Sequence, residues 1–222
     1  MEKRFLSLFM VLLLTGLAQQ SFAGQIDLSN WAFKIDAVTS ESASGDSMPG
    51  LPSLSNGLGT VSITVTGVGD HYVGAFFDYE IDEDNTNFFN EYGFTSGTLA
   101  TGQSWEIDEP GYVSGDIYTN TLHGSLDNSN TVPSGSENDV SMALGWDFIL
   151  DAGETASITF LLSTTAPSDG FFLGHHDPDT AGLNTVYLSS SMEIEERTVP
   201  EPAAILLFGM GLLGLAGVSR KE

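Results

Sequence analysis

The stretch TVSITVT, residues 60–66, sets Val61, Ile63 and Val65 at every second position, with Ser62, Thr64 and Thr66 between them. Side chains of a strand alternate between its two faces, so this stretch reads as a strand with one face in a core and the other in water. Working outward, Gln25 to Val38 opens with apolar residues at Ile26, Leu28, Phe33 and Ile35. His71 to Ile81 carries Tyr72, Phe76, Phe77 and Tyr79 after the turn residues Gly67 to Asp70 and reads as the next strand. Further strands are expected at Thr98–Ile107, Tyr112–Leu122, Val140–Leu150, Ala156–Ser163 and Thr185–Ile194. Turns rich in Gly, Asn, Asp and Pro separate them, as at Glu109-Pro110-Gly111 and Asp151-Ala152-Gly153. Ser40 to Gly59, rich in Ser, Gly and Pro, reads as a loop.

No stretch of this middle region holds a sustained 3.6-residue period with caps, and no strong internal repeat or RTX-type nonapeptide occurs. The expectation is an all-β chain: one β-sandwich or jelly-roll-like domain over residues 24–197. That length can bury a sizeable core. Cysteine is absent, so disulfides, thiolate zinc and cysteine nucleophiles are excluded.

Charge narrows the function further. Between Lys34 and Arg197 there is no lysine or arginine. Residues 24–199 hold 27 acidic residues and two basic ones, a net charge of −25. Such a surface cannot neutralise phosphates, which excludes nucleic-acid binding and adsorption to anionic lipid. Self-repulsion weakens a compact acidic domain unless counter-ions relieve it, so salt or calcium is an expected stabiliser. Acidity that serves solubility alone is the other reading.

The two ends carry a different message. Lys3 and Arg4 precede an apolar run from Phe5 to Leu17, and Ser21-Phe22-Ala23 places small residues where signal peptidase cuts. Residues 1–23 are therefore expected to be a secretory signal peptide, cleaved between Ala23 and Gly24. At the other end stand the box Pro200-Glu201-Pro202, an apolar run from Ala203 to Val218, and the basic pair Arg220-Lys221. The sixteen apolar residues make roughly 24 Å of helix, marginal for a hydrocarbon core about 30 Å thick. The basic pair would stay on the cytoplasmic side.

In that order, box, apolar run and basic pair, residues 198–222 resemble the C-terminal sorting signal of PEP-CTERM proteins. The resemblance implies export by a Gram-negative bacterium and recognition by an exosortase, which cuts near the box. Pro200, Glu201, Pro202, Arg220 and Lys221 are the sorting residues it designates. It also implies a transient inner-membrane anchor through the C-terminal transmembrane helix, followed by surface display or secretion. Gly209-Met210-Gly211-Leu212-Leu213-Gly214 matches G-x-G-x-x-G, but the strand and the downstream acidic residue of a dinucleotide site are missing.

Among the side chains of the middle region, His175, His176, Asp177 and Asp179 form the densest set of potential metal ligands. The imidazoles suit zinc or another transition metal, and Asp177 and Asp179 suit calcium. Neighbouring histidines point to opposite faces of a strand, so they share an ion only if they lie in a loop, which Pro178 favours. A polar turn after Phe171-Phe172-Leu173 is the alternative. Asp82 to Asn87 resembles the start of a calcium loop, yet Asn87 stands where an EF-hand has glycine and Gly93 where it has glutamate. Gly45-Asp46-Ser47 resembles the GDS block of GDSL hydrolases, but no histidine follows an aspartate at the spacing their base requires. With so many acids, a carboxylate pair suited to glycoside hydrolysis arises by chance. Trp31, Trp105 and Trp146 offer sugar stacking or core filling.

The reading is thus a non-enzymatic exported protein, structural or adhesive, in the extracellular matrix or envelope, with exopolysaccharide as a candidate partner. A calcium-assisted carbohydrate-binding module is the alternative. An extracellular hydrolase and an ice-binding protein, the latter suggested by the Ser/Thr alternation, stand behind it.

Overall fold

Two neighbouring residues, Asn56 and Gly57, adopt positive φ angles of 51° and 75° and join the strand Leu51–Ser55, which lies inside the expected Ser40–Gly59 loop, to the strand Leu58–Thr66. An Asn-Gly pair in this left-handed conformation makes the two-residue turn whose twist matches that of a hairpin. It belongs to a computed structural model that describes residues 25–82 and 87–196. The expected signal peptide with its Ala23–Gly24 cleavage site, most of the Asp82–Asn87 loop, and the segment with Pro200, Glu201, Pro202, Arg220 and Lys221 lie outside the described residues.

The elements run β1 (Ile26–Ile35), β2 (Val38–Glu41), β3 (Leu51–Ser55), β4 (Leu58–Thr66), β5 (Gly69–Ile81) and β6 (Tyr92–Ser96). They continue β7 (Gln103–Asp108), α1 (Ile117–His123), β8 (Ser141–Leu150), β9 (Glu154–Ser163), β10 (Phe172–His176) and β11 (Thr185–Glu196). Two sheets result, ordered β2-β1-β5-β8-β7 and β3-β4-β9-β11-β10-β6. Every strand pair in them is antiparallel. The all-β expectation therefore holds at the level of two antiparallel sheets and one short helix.

The 60–66 alternation lies in β4, where Val61, Ile63 and Val65 are buried. They face a core shared by both sheets, with Ala156, Ile158, Phe160 and Leu162 of β9 beside them and Phe33, Phe77, Tyr79 and Leu144 from the five-stranded sheet. Phe33 joins the layers: its ring meets Phe77 edge-on at 5.6 Å and Phe160 of the opposite sheet at 6.0 Å. Burying one such ring stabilises the fold by roughly 1.5–3 kcal/mol relative to exposure. Two aromatic side chains of this core have their polar atoms partnered. Tyr79 donates its hydroxyl to Gly57 O at 2.6 Å, and Trp146 donates Nε1–H to Ser190 Oγ at 2.9 Å between the sheets.

Four expectations are corrected. Tyr112–Leu122 is not a strand: Ile117–His123 is α1, which turns Ile117 and Thr121 inward at i, i+4 spacing. It packs with Tyr118 and Leu122 on Ala32, Phe76 and Ala143, on the outer face of the five-stranded sheet. Seven residues show barely two turns of period, too little to stand out in a sequence. The Ser40–Gly59 loop holds β3 and the end of β2, and β6 was not expected. β7 begins only at Gln103, after a turn, so the strand expected from Thr98 starts five residues late.

Candidate functional site

Beyond the core, at the end of β10, the packing turns polar. β10 continues through His175 and His176, so the two histidines occupy opposite faces rather than a loop. This corrects the expectation that the pair could turn to one ion. His175 points inward and is fully buried, with Nε2 2.6 Å from Glu91 Oε2, itself buried. His176 points outward, where Nδ1 meets Thr185 Oγ1 at 2.7 Å and the ring lies 5.0 Å from that of Tyr92. Burial pulls the His176 imidazole below its ordinary range.

Asp177 and Asp179 are held otherwise. Asp177 Oδ1 accepts the Asp179 backbone N–H at 2.8 Å and Asn90 Nδ2 at 3.1 Å, and its Oδ2 accepts the Thr180 hydroxyl. Asn90 Nδ2 also donates to Asp179 Oδ2 at 2.8 Å. One amide thus ties the aspartates of the turn to the segment before β6. The four candidate metal residues split into a buried His–Glu pair, an outward imidazole and an amide-stapled turn.

Glu91 and His175 sit among further carboxyls. Asp78, on β5, is 1 % exposed, accepts Ser141 Oγ–H at 2.8 Å, and is pushed up to about 6 by burial. Asp139 is pushed up to about 7, first by burial and then by the like charges of Asp78 and Glu91. Burial also raises the Glu91 carboxyl, with His175 pulling the other way. Removal from water disfavours the charged form of each acid, and each ionised neighbour makes the next harder to ionise. His175 Nδ1 and Asp139 Oδ1 are buried with no hydrogen-bond partner among the described residues. Beside them lies a cavity of about 430 Å³ lined by Phe89, Pro110, Tyr112, Val113 and Asp139. This end of the domain can hold and release protons near neutral pH, in contact with a small apolar cleft.

A second acidic group was missed in the sequence. Glu106 and Asp108 of β7 and Asp116, just before α1, bring ligand oxygens within 4.8 Å of one another. Asn120 Nδ2 donates to both Glu106 oxygens, at 3.0 and 3.2 Å, and the Asp127 backbone N–H adds a third bond. Asp108 accepts the Asp116 backbone N–H at 2.7 Å and the Thr131 hydroxyl. Burial pushes Glu106 up to about 7 against those donors. No spacing marks 106, 108 and 116 among so many acids; only the fold of α1 back over β7 brings Asp116 to the other two.

The described body ends at Glu196, the last residue of β11. Residues 198–221 match the PEP-CTERM protein-sorting motif. The chain carries a PEP-CTERM sorting signal. The match spans Pro200, Glu201, Pro202, Arg220 and Lys221. PEP-CTERM proteins are processed by exosortases, and the motif implies export with transient membrane anchoring before sorting. Among the described residues no helix is long and apolar enough to cross a membrane, and the PEP-CTERM segment lies beyond them. No curated protein and no solved structure matches the chain.

Proposed function

We propose that the chain is an exported surface or extracellular-matrix protein of a Gram-negative bacterium that acts as a structural or adhesive component without catalysis. The Sec pathway carries it out, signal peptidase removes residues 1–23, and the apolar tail anchors it in the inner membrane. An exosortase then cuts near Pro200-Glu201-Pro202. Residues 24–197 stay outside as one sandwich of the two sheets. The observation carrying this reading is the junction: β11 ends at Glu196 and the sorting motif begins at residue 198. Nothing but a short connection separates the folded body from its address.

Mass spectrometry of the surface form from native cells tests the reading. The expected mature chain begins at Gly24 and ends near the box, and a strain without exosortase accumulates a chain ending at Glu222. A surface form that keeps Glu222 in exosortase-positive cells overturns sorting by cleavage.

A second reading, calcium-assisted carbohydrate binding, draws support from Glu106, Asp108 and Asp116. It expects a melting temperature that rises with calcium and falls back with chelator. An unchanged midpoint removes it.

A further inference from the structure

The two outer faces of this domain differ. On the five-stranded sheet, α1 and Leu126 cover Ala32, Phe76 and Ala143. On the six-stranded sheet the alternation turns outward a set of residues that no covering cluster among the described residues includes. The registers place Ser96, Phe172, Ser189, Leu161 and Thr60 in one row, and Phe94, Gly174, Tyr187 and Ser163 in the next. Tyr92, His176 and Thr185 form a third.

Five rings run continuously over these rows. Tyr92 stands 5.0 Å from His176 and 6.5 Å from Phe94, Phe94 stands 6.1 Å from Tyr187, and Tyr187 stands 5.7 Å from Phe172. Gly174 makes the arrangement possible. A Cβ there would lie 2.2 Å from Phe94 Cζ, so the Phe94 ring occupies the place a side chain of β10 would take. The rings are half-buried against one another and keep part of their surface in water.

Charge sets this face apart as well. In a body of net charge −25 over residues 24–199, the strand positions on this face carry no carboxylate until Glu193 and Glu195 near the end of β11. Hydroxyls take their place: Thr60, Ser62, Thr64, Ser157, Thr159, Ser189 and Ser191. A cleft of about 420 Å³ opens between the hydroxyls of Thr60, Thr159, Ser189 and Ser191 and the Pro167–Gly170 loop, with exposed Asp169 on its rim.

We propose that this aromatic strip and its hydroxyl border bind a neutral polysaccharide. The inference rests on the reading of an exported adhesive domain and names the surface through which it adheres. A pyranose ring presents an apolar C–H face and a rim of hydroxyls. Aromatic faces take the first by area burial and dispersion, and Ser, Thr and Asp side chains pair with the second. An exposed apolar patch rimmed by polar groups marks an interaction site on a soluble protein. The acidic field of the body repels an anionic polymer, and the described residues of this face include no Lys or Arg to bind its charges.

The test uses the full-length chain in mild detergent, so that binding is read independently of sorting. Retention is measured on insoluble cellulose, starch and chitin, with alginate as the anionic comparison. Retention on at least one neutral polymer is expected, unchanged by chelator and by 1 M salt, and absent on alginate. The double variant Phe172→Ala/Tyr187→Ala is expected to lose at least about tenfold in affinity, a loss of roughly 1.4 kcal/mol or more. Tyr187→Phe, which keeps the ring, retains binding, and Thr119→Ala, exposed on α1 over the five-stranded sheet, leaves it unaltered. No retention on any neutral polymer, retention on alginate alone, or a double variant that binds like the parent overturns the proposal. An intact Glu222 on the surface form would end the sorting reading and leave these retention results as they stand.

Discussion

His175 Nε2 lies 2.6 Å from Glu91 Oε2, and both side chains are 1 % exposed. A pair so thoroughly removed from water is costly to form and costlier to break, because truncating one partner leaves the other buried and unmatched. Glu91→Ala and His175→Ala are each expected to lower stability by about 3–5 kcal/mol. The double variant is expected to cost less than the sum, as a double-mutant cycle by urea unfolding reads. Additive losses would show that the two side chains do not act as a pair.

Stability is expected to fall as pH rises from 5 to 8. Asp78 is pushed up to about 6, and Glu106 and Asp139 to about 7, against ordinary values of 3.8 for aspartate and 4.5 for glutamate. Through that window the folded state holds protons that the unfolded chain gives up, so the stabilisation present at low pH drains away as pH rises through each folded-state value. His71, raised by its hydrogen bond to Asp36, adds in the same direction. His176, lowered by burial, and Glu41, lowered by its bond to Ser44, oppose it, the latter only in the acid range. A melting midpoint several degrees higher at pH 5 than at pH 8 is expected from calorimetry, with the gap narrowing in high salt as self-repulsion is screened. An equal or higher midpoint at pH 8 contradicts these shifts.

Asp36 closes the β1–β2 turn by accepting the Tyr72 backbone N–H at 3.0 Å and holding His71 Nδ1 at 3.0 Å. Asp36→Asn is expected to move the NMR titration midpoint of His71 down towards its ordinary value, while Asp70→Asn moves it less. A midpoint unmoved by Asp36→Asn would show that the side-chain bond does not raise it.

Phe33→Ala is expected to cost about 3–5 kcal/mol. The ring spans both sheets through Phe77 and Phe160, so the cavity it leaves cannot close by movement of one layer alone. Urea denaturation reads the loss, and a cost under about 1 kcal/mol would mean that the sheets collapse onto each other more easily than dense packing allows.

Ser190 Oγ accepts both Trp146 Nε1–H at 2.9 Å and Gln103 Nε2 at 3.1 Å. Ser190→Ala strands both donors and is expected to cost about 1–3 kcal/mol, with a shift in Trp146 fluorescence. A silent substitution would indicate that water replaces the hydroxyl.

Strands with strong alternation were legible because their pattern is local: TVSITVT became β4, and Ala156–Ser163 lies in β9. The Asn56-Gly57 hairpin was equally local, yet the surrounding Ser, Gly and Pro made it read as loop. β6 stayed hidden because Gly93 and exposed Thr95 and Ser96 carry no apolar alternation. The strand gains its place from pairing with β10. The histidines were legible as residues but not as an arrangement, since the partner of His175 lies 84 positions earlier in the chain.

By itself the sequence determined the class of structure, the acidic and cysteine-free character of the body, and the sorting signal over residues 198–221. Each is a property of composition or of residues adjacent in the chain. Tertiary structure alone decided which acids are buried together, that His175 meets Glu91 while His176 meets Tyr92, and that rings from β6, β10 and β11 share one outer face. Those outcomes depend on strand order and register, and a register is fixed by burial across whole sheets rather than by any one segment.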